Sequence, residues 1–154
     1  MQDVILDEQY KDGLKLFGRK NIHRTYSVNK VDTQYEAIRR IGDIGNSVLD
    51  IGCGAGDLLI KLRLLGFRGR LKGIDKYPIV NEAAKSSKTN NLDIEFEQID
   101  IENQTESSDN WDIGVMVSIL CLNPEFRDVI KRYSNICRKM VLVDVGPGAY
   151  PRLN

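Results

Sequence analysis

The sequence has few cysteines, one histidine, no excess of either charge and no long apolar run. Its three cysteines, Cys53, Cys121 and Cys137, lie far apart and show neither CxxC spacing nor a nearby histidine pair. This pattern argues against a disulfide framework and against a metal site, and it favours reduced thiols in a cytoplasmic protein. We therefore predict a cytoplasmic protein that holds no metal.

The absence of a charge excess bears on possible partners. The 22 basic residues are balanced by 22 acidic ones, so no long-range field attracts the protein to a phosphate backbone or to an anionic membrane. A loosely basic stretch over residues 11–24 contains or adjoins several acids, which is typical of a solvated face. Nucleic acid binding is therefore disfavoured, with a local binding patch as the alternative.

Long apolar segments are also missing. No stretch approaches the about 20 consecutive apolar residues that span a bilayer. The N-terminus, MQDVILDEQYKDG, has acids where a secretory signal has a basic region followed by an apolar run. We expect no membrane partner and no export.

From residue 47 onward, short apolar runs alternate with helical patterns. Such alternation is typical of βαβ units and of a doubly wound, mostly parallel α/β sheet. The 154 residues suit a single domain with one core. The predicted strands cover residues 47–51, 70–75, 94–99, 111–117 and 139–145, and the predicted helices cover residues 33–42, 57–66, 78–87 and 123–137.

The first 45 residues differ in character from the rest of the chain. Residues 33–42 have a helical pattern, whereas the segment before them mixes glycine, asparagine, serine and aromatic residues without a clean period. We interpret residues 1–45 as an N-terminal helical arm or lid and residues 46–154 as the α/β core of one domain, 1–154.

A glycine-rich turn lies within SVLDIGCGAGDLL, residues 47–59, between a predicted strand and a predicted helix. Gly52, Gly54 and Gly56 leave the backbone open to a ligand and allow positive φ. The spacing matches neither the GxGxxG dinucleotide fingerprint nor a phosphate-binding loop that ends in GK[ST]. Asp50 and Asp57 flank the turn and would repel a pyrophosphate, so the sequence predicts a cationic ligand.

A ligand that combines an ammonium group, a sulfonium centre and a ribose fits this turn, and S-adenosylmethionine matches that description. The residues VLDIGCGAGDLL resemble the first motif of the class I, Rossmann-like, S-adenosylmethionine-dependent methyltransferases, in which an acidic residue precedes GxGxG. Three further segments, LKGIDKYP, IEFEQIDIEN and WDIGVMVSILCLNP, resemble later motifs of the family in register. The resemblance covers residues 47–145 and implies S-adenosyl-L-methionine as the cofactor.

The end of the second predicted strand resembles the ribose-binding element of the family. Asp75 follows the glycine turn at close to the ~20 residues that separate a nucleotide loop from its ribose-binding acid. The resemblance implies that Asp75 accepts hydrogen bonds from both ribose hydroxyls. It gives Lys76 and Tyr77 a packing role beside the adenine or the ribose.

The later strand ends complete the implied cofactor site. The resemblance places Asp100 and Ile101 at the adenine, and Ser118 and Ile119 at the methionine end. The implied cofactor-binding residues are Asp50, Gly52, Cys53, Gly54, Gly56, Asp75, Lys76, Asp100, Ile101, Ser118 and Ile119.

The chain departs from the family after the fifth predicted strand. The family's full sheet has seven strands, so we expect here a sheet truncated after strand five. Its last strand would then have an open hydrophobic edge, a feature that natural proteins usually cover. The N-terminal arm, the C-terminal tail or a second subunit could cover it, the last as a homodimer.

The missing strands leave the acceptor site to the N-terminal arm and to the loop after strand four. Polar candidates in the arm are His23, Arg24, Tyr26 and Asn29. His23 and Tyr26, with Asp144, are the candidates for a catalytic base, although a surface position explains His23 equally well.

The leading hypothesis is a methyltransferase that acts on a small molecule, because the neutral charge offers no nucleic acid footprint. A non-catalytic cofactor-binding or partner subunit is an alternative, suggested by the missing strands. A third hypothesis is an enzyme that uses the same cofactor for another reaction, such as cleavage.

Overall fold

The computed structural model describes residues 33–41, 46–103, 110–118 and 125–143. In these ranges helices and strands alternate along the chain. The elements are α1 (Thr33–Ile41), β1 (Ser47–Ile51), α2 (Asp57–Leu64), β2 (Arg70–Asp75), α3 (Ile79–Thr89), β3 (Glu95–Gln98), β4 (Trp111–Val117), α4 (Phe126–Ser134) and β5 (Cys137–Val143).

The strands form one sheet in the order β3-β2-β1-β4-β5, and the neighbouring pairs are parallel. The chain winds from β1 out to β3 on one side and from β4 out to β5 on the other, so its direction reverses between β1 and β4. Open parallel sheets bind ligands at the carboxyl ends of the strands beside such a reversal. The predicted doubly wound α/β fold is confirmed.

Apolar side chains pack on both faces of the sheet. On one face, α1 and α2 contribute Ala37, Ile41 and Leu59, which are almost fully buried. On the other face, Trp111 and Tyr133 are buried in a second cluster. Because α1 contacts β4 and β5, this part of the predicted arm lies on the sheet, and the division of the chain at residue 45 stays a prediction.

Helix α2 ends where its sequence predicts. Gly66, just past the helix, has a φ of +97°, a left-handed conformation that favours glycine at helix ends. The sequence DLLIKLRLLG predicts that Leu65 shares the buried stripe of this helix with Leu58, Leu59 and Leu62. For Leu65 the prediction is wrong, since this residue is 70% exposed. It occupies the C-cap, where the chain leaves the helical path.

Strand β5 begins earlier than the sequence predicts. Cys137, the last residue of the predicted helix 123–137, instead pairs with Trp111 in the ladder between β4 and β5. The Trp111 N–H donates to the carbonyl of Ile136 at 2.8 Å. Pairing with β4 therefore draws this segment into the sheet and ends α4 at Ser134. Residues 144 and 145 of the predicted strand lie outside the described ranges.

The two outer strands of the sheet, β3 and β5, differ in the residues that the structure describes along their edges. On β3, Glu95 and Glu97 form ion pairs with Arg70 and Lys72 of β2, at distances of 3.6 and 2.7 Å, and such charges discourage pairing with a foreign strand. On β5 the described residues include no neighbouring strand on the outer side. The homodimer through this edge stays a prediction.

The helices that the structure describes are short, and the longest, α3, has 11 residues. Among the four that the structure describes, none combines the length and the apolar character needed to cross a bilayer.

Candidate functional site

The glycine turn after β1 lies beside the point where the winding reverses. Gly52, Gly54 and Gly56 have φ angles of +78°, +55° and +77°, which L side chains rarely adopt. A Cβ on Gly54 would meet no atom of the described residues within 4 Å. The backbone of the turn is therefore open on that side.

Most amide N–H groups of the turn donate within the protein. Gly52 and Cys53 both donate to the carbonyl of Ile74, at 2.8 and 3.0 Å, and Gly56 donates to the carbonyl of Cys53 at 2.9 Å. A phosphate-binding loop instead presents its N–H groups to the ligand. The hydrogen bonding of this turn therefore argues against a phosphate cradle.

Asp75 ties the turn to the end of β2. Its Oδ2 accepts from the Gly54 N–H at 2.8 Å, and its Oδ1 accepts from the Tyr77 N–H at 2.9 Å. Burial raises the pKa of Asp75, and these N–H donors partly oppose that rise. Each carboxylate oxygen has a second lone pair. Asp75 can therefore accept further hydrogen bonds from ligand hydroxyls without releasing the turn.

Asp50 is more deeply buried, with 3% of its surface exposed. Burial, and then the negative charges of Asp75 and Asp57, raise the pKa of Asp50 to about 8. An ionised carboxyl group that is buried beside other acids is costly, so either a proton or a bound cation stabilises this position.

The raised pKa of Asp50 predicts that the unliganded protein loses stability as the pH rises. The folded pKa of about 8 exceeds the about 3.9 of an unfolded aspartate. Between these values the folded state holds a proton that the unfolded state has released, so the stabilising contribution present below about pH 4 is lost as the pH approaches about 8.

Urea unfolding of the wild type and of Asp50→Asn between about pH 5 and pH 8 measures this contribution. We expect the stability of the wild type to fall relative to the variant across that interval, because asparagine stays neutral. If the stabilities of the two proteins changed with pH in the same way, the raised pKa of Asp50 would be contradicted. Titrating groups that do not interact with Asp50 are common to both proteins and cancel in the difference.

The turn after β3 is held by a carboxylate and by an arginine from α4. Asp100 accepts from the Glu102 N–H at 3.0 Å and from the side-chain amide of Asn103 at 2.8 Å. Arg132 donates to the carbonyl of Ile101 at 2.9 Å and to the carbonyl of Glu102. Sequence reasoning missed Arg132, because no local pattern connects a helix residue with a turn 31 positions earlier.

Lys76 links the ends of β2 and β3. Its Nζ lies 3.3 Å from Oε1 of Glu102 and 5.1 Å from the centroid of the Tyr77 ring. Lys76 and Tyr77 therefore stand together beside Asp75, on the side of the crevice where the sequence predicts the adenine and the ribose.

Cys53 lies in the turn, but its thiol faces the protein. The Sγ atom is 2.8 Å from the position that a Cβ on Gly73 of β2 would occupy. Burial, followed by the charges of Asp50 and Asp75, raises the pKa of the Cys53 thiol. Only the backbone of Cys53 is thus suited to contact a ligand.

Ser118, the residue after β4, has an uncommon conformation. Its φ is +56°, and its N–H donates to the carbonyl of Val143 at 2.8 Å. A left-handed residue other than glycine costs of order 1–3 kcal/mol, and such residues cluster at functional sites. The predicted neighbour Ile119 lies outside the described residues, as do the arm and tail candidates His23, Arg24, Tyr26, Asn29 and Asp144.

The described site residues thus occupy neighbouring strand ends at one edge of the sheet. The glycine turn, Asp50 and Asp75 form its centre, with Lys76 beside them. The turn that contains Asp100 and Ile101 follows β3 on one side, and Ser118 follows β4 on the other.

Comparison with known proteins identifies the family. A family model described as a methyltransferase domain matches residues 43–145, about two thirds of the chain. The chain belongs to this methyltransferase family. The match includes all five described strands of the methyltransferase domain, and the resemblance found in the sequence is confirmed.

Two curated relatives of this methyltransferase domain are ribosomal protein L11 methyltransferases. The one from Dictyoglomus thermophilum is 40% identical over 92 residues, which cover 56% of this chain and 30% of the relative. The one from Thermosipho africanus is 43% identical over 58 residues, which cover 37% of this chain and 22% of the relative. The matches thus span less than a third of either curated relative.

Solved methyltransferase structures share the fold. The plantazolicin methyltransferase BpumL, in complex with a pentazolic desmethylPZN analog and SAH, has a TM-score of 0.70 at 18% identity, covering 94% of this chain and 58% of that one. The magnesium protoporphyrin IX methyltransferase (ChlM) from Synechocystis PCC 6803, with bound SAM, has a TM-score of 0.66 at 18% identity, covering 99% and 80%. At such identities the likeness establishes the fold.

Proposed function

We propose that this protein is an S-adenosylmethionine-dependent methyltransferase that acts on a small-molecule acceptor. The observation that supports the cofactor most directly is the hydrogen bonding of the glycine turn. Its N–H groups at Gly52, Cys53, Gly54 and Gly56 donate within the protein, while buried carboxyl groups of Asp50 and Asp75 lie beside it. Such a site favours a cation that carries hydroxyl groups over a diphosphate.

The described residues fit this cofactor. Asp75 keeps free lone pairs for the ribose hydroxyls, and Asp50 supplies a buried carboxyl group for the positively charged amino acid end. The open side of Gly54 allows close approach to the backbone of the turn. Asp100 and Ile101 are proposed at the adenine, and Ser118 with Ile119 at the methionine end.

The cofactor supplies a methyl group that is activated by a positively charged sulfur. The protein's own task is then to orient the acceptor, to hold both partners in line and to exclude water. Asp50 and Asp75 hold charge and hydroxyl groups in place and take no part in bond making. For an amine or hydroxyl acceptor, we propose His23 or Tyr26 as the group that receives the proton.

The small-molecule acceptor is supported by the neutral net charge. A protein acceptor is a second candidate, and the specific observation that favours it is the 40% identity to a ribosomal protein L11 methyltransferase. The two candidates share the cofactor site and differ only in what enters the acceptor side.

Calorimetry with S-adenosylmethionine and with NAD tests the cofactor. We expect S-adenosylmethionine to bind and NAD not to bind, because the turn offers carboxylates and few free N–H groups. Binding of NAD alone would overturn the proposal.

Methyl transfer is then tested with S-adenosylmethionine that carries a labelled methyl group. One reaction contains ribosomal protein L11 and the other a panel of small amines, alcohols and acids. Label in the small molecules supports the first candidate, and label in the protein supports the second. Cofactor binding without transfer to any acceptor would favour a non-catalytic subunit, and a product other than S-adenosylhomocysteine would favour a different reaction of the same cofactor.

A further inference from the structure

The ring of Phe96 on β3 fills the space that two glycines leave open. A Cβ on Gly56, in the glycine turn, would lie 2.6 Å from Cε1 and from Cζ of the Phe96 ring. A Cβ on Gly73, in the middle of β2, would lie 2.7 Å from Cδ1 of the same ring. Real Cβ atoms do not approach other atoms so closely, so the ring occupies space that any other residue at either position would need.

The position of this ring follows from the register of the sheet. Phe96 pairs with Gly73, and Gly73 pairs with Asp50. Partners in a parallel ladder point to the same face, so the ring, the bare position at Gly73 and the buried carboxyl group of Asp50 lie in one row. The Cys53 thiol shares the space above Gly73. The row thus brings Phe96 under the turn that contains Cys53 and Gly56.

Strand β3 otherwise presents polar residues to solvent. Glu95, Glu97 and Gln98 are exposed, whereas Phe96 is half-buried and packs against the apolar cluster under α1 and α2. Among the residues of β3, Phe96 is therefore the one whose side chain reaches the glycine turn.

We propose that Phe96 is a positioning residue for the cofactor turn, an inference that rests on the proposed function. The ring supports the turn from below at Gly56 and restrains Cys53 beside it. The turn then keeps one backbone conformation before the ligand arrives. Without the ring, the turn must be ordered during binding, and that cost lowers the affinity.

Calorimetry of Phe96→Ala, Phe96→Leu and wild type with S-adenosylmethionine measures the effect. We expect Phe96→Ala to weaken binding roughly tenfold, as ordering of a few groups on binding implies. Phe96→Leu should lie between Phe96→Ala and the wild type, because it restores part of the lost volume.

Ile94→Ala is the matched control. Ile94 is also half-buried, precedes β3 and packs against the same apolar cluster, but it does not contact either glycine in the way that Phe96 does. We expect this variant to lose stability and to keep the wild-type affinity. Equal losses of affinity in Ile94→Ala and Phe96→Ala, or wild-type affinity in Phe96→Ala, would overturn the proposal.

Hydrogen exchange of the unliganded proteins separates this inference from the proposed function. The N–H groups of Gly54 and Gly56 are bonded to Asp75 and Cys53, so their exchange reports whether the turn opens. We expect faster exchange at both amides in Phe96→Ala and unchanged exchange in Ile94→Ala. If the wild type binds no S-adenosylmethionine, the proposed function fails, and the exchange rates still decide whether Phe96 orders the turn.

Discussion

Asp75→Asn should weaken the binding of S-adenosylmethionine by roughly 10- to 100-fold, because a hydrogen bond to a charged acceptor contributes about 1.5–3 kcal/mol and 1.4 kcal/mol corresponds to tenfold. An asparagine keeps one acceptor oxygen and presents an NH2 group in place of the other. In the wild type, the N–H groups of Gly54 and Tyr77 donate to different oxygens of Asp75. In the variant, one of these two N–H groups therefore faces the NH2 group, which cannot accept a hydrogen bond. The variant thus loses ligand contacts and one tie that holds the turn.

Asp112→Asn is the control for this substitution. Asp112 also accepts a backbone N–H, that of Asn46 at 2.8 Å, and it faces Arg138 at 3.4 Å. It lies at the start of β4, whereas Asp75 ends β2, so it occupies the edge of the sheet away from the site. Calorimetry should give wild-type affinity for Asp112→Asn. A weakening as large as that of Asp75→Asn, or an Asp75→Asn variant within twofold of wild type, would remove the ribose assignment.

Gly54→Ala and Gly56→Ala should differ in their effects: the first should mainly lower the affinity for the cofactor, and the second should mainly lower the stability of the fold. Both glycines have positive φ, so alanine at either costs about 1–2 kcal/mol of backbone strain. In the part of the chain that the structure describes, a Cβ on Gly54 meets nothing within 4 Å, whereas a Cβ on Gly56 would lie 2.6 Å from the Phe96 ring. We expect Gly54→Ala to fold with a modest loss of stability, because its Cβ meets none of the described residues. The same Cβ would occupy the side from which the cofactor approaches the turn. We therefore expect the affinity to fall roughly 100-fold, which corresponds to about 3 kcal/mol.

Gly56→Ala should lose more stability than Gly54→Ala, because overpacking adds about 1–3 kcal/mol to the strain. Gly66→Ala supplies the control, since Gly66 also has positive φ and open space around its Cβ but lies at the far end of α2. Urea unfolding and calorimetry of the three variants make the comparison. Wild-type affinity in Gly54→Ala would show that no ligand approaches the turn from its open side.

Much of the fold could be predicted from the sequence, because its signals are local. The positions of β1, β2 and β4 follow from short apolar runs bounded by turn residues, and the end of α2 follows from Gly66. The errors fall at element ends. Leu65 is exposed because it occupies the C-cap just before Gly66, and Cys137 belongs to a strand because it pairs with Trp111 of β4.

In the candidate site, too, the local features could be predicted from the sequence, whereas the contacts between distant segments could not. The glycine turn and Asp75 could be recognised from residue types and spacing. Phe96 and Arg132 could not, because each acts on a segment that lies far away along the chain and close in space. Nor does the sequence reveal that the thiol of Cys53 faces the protein.

The sequence by itself determined the succession of strands and helices along the chain, the glycine-rich turn and the position of acidic residues at the strand ends. Periodicity, glycine content and charge are properties of short segments. Only the tertiary structure decided that the N–H groups of the turn are already bonded, that Asp50 is buried with a pKa of about 8, and that one ring supports the turn. Hydrogen bonding, desolvation and contact depend on which distant segments meet, and the parallel pairing of β1 with β2 and of β2 with β3 brings these segments together.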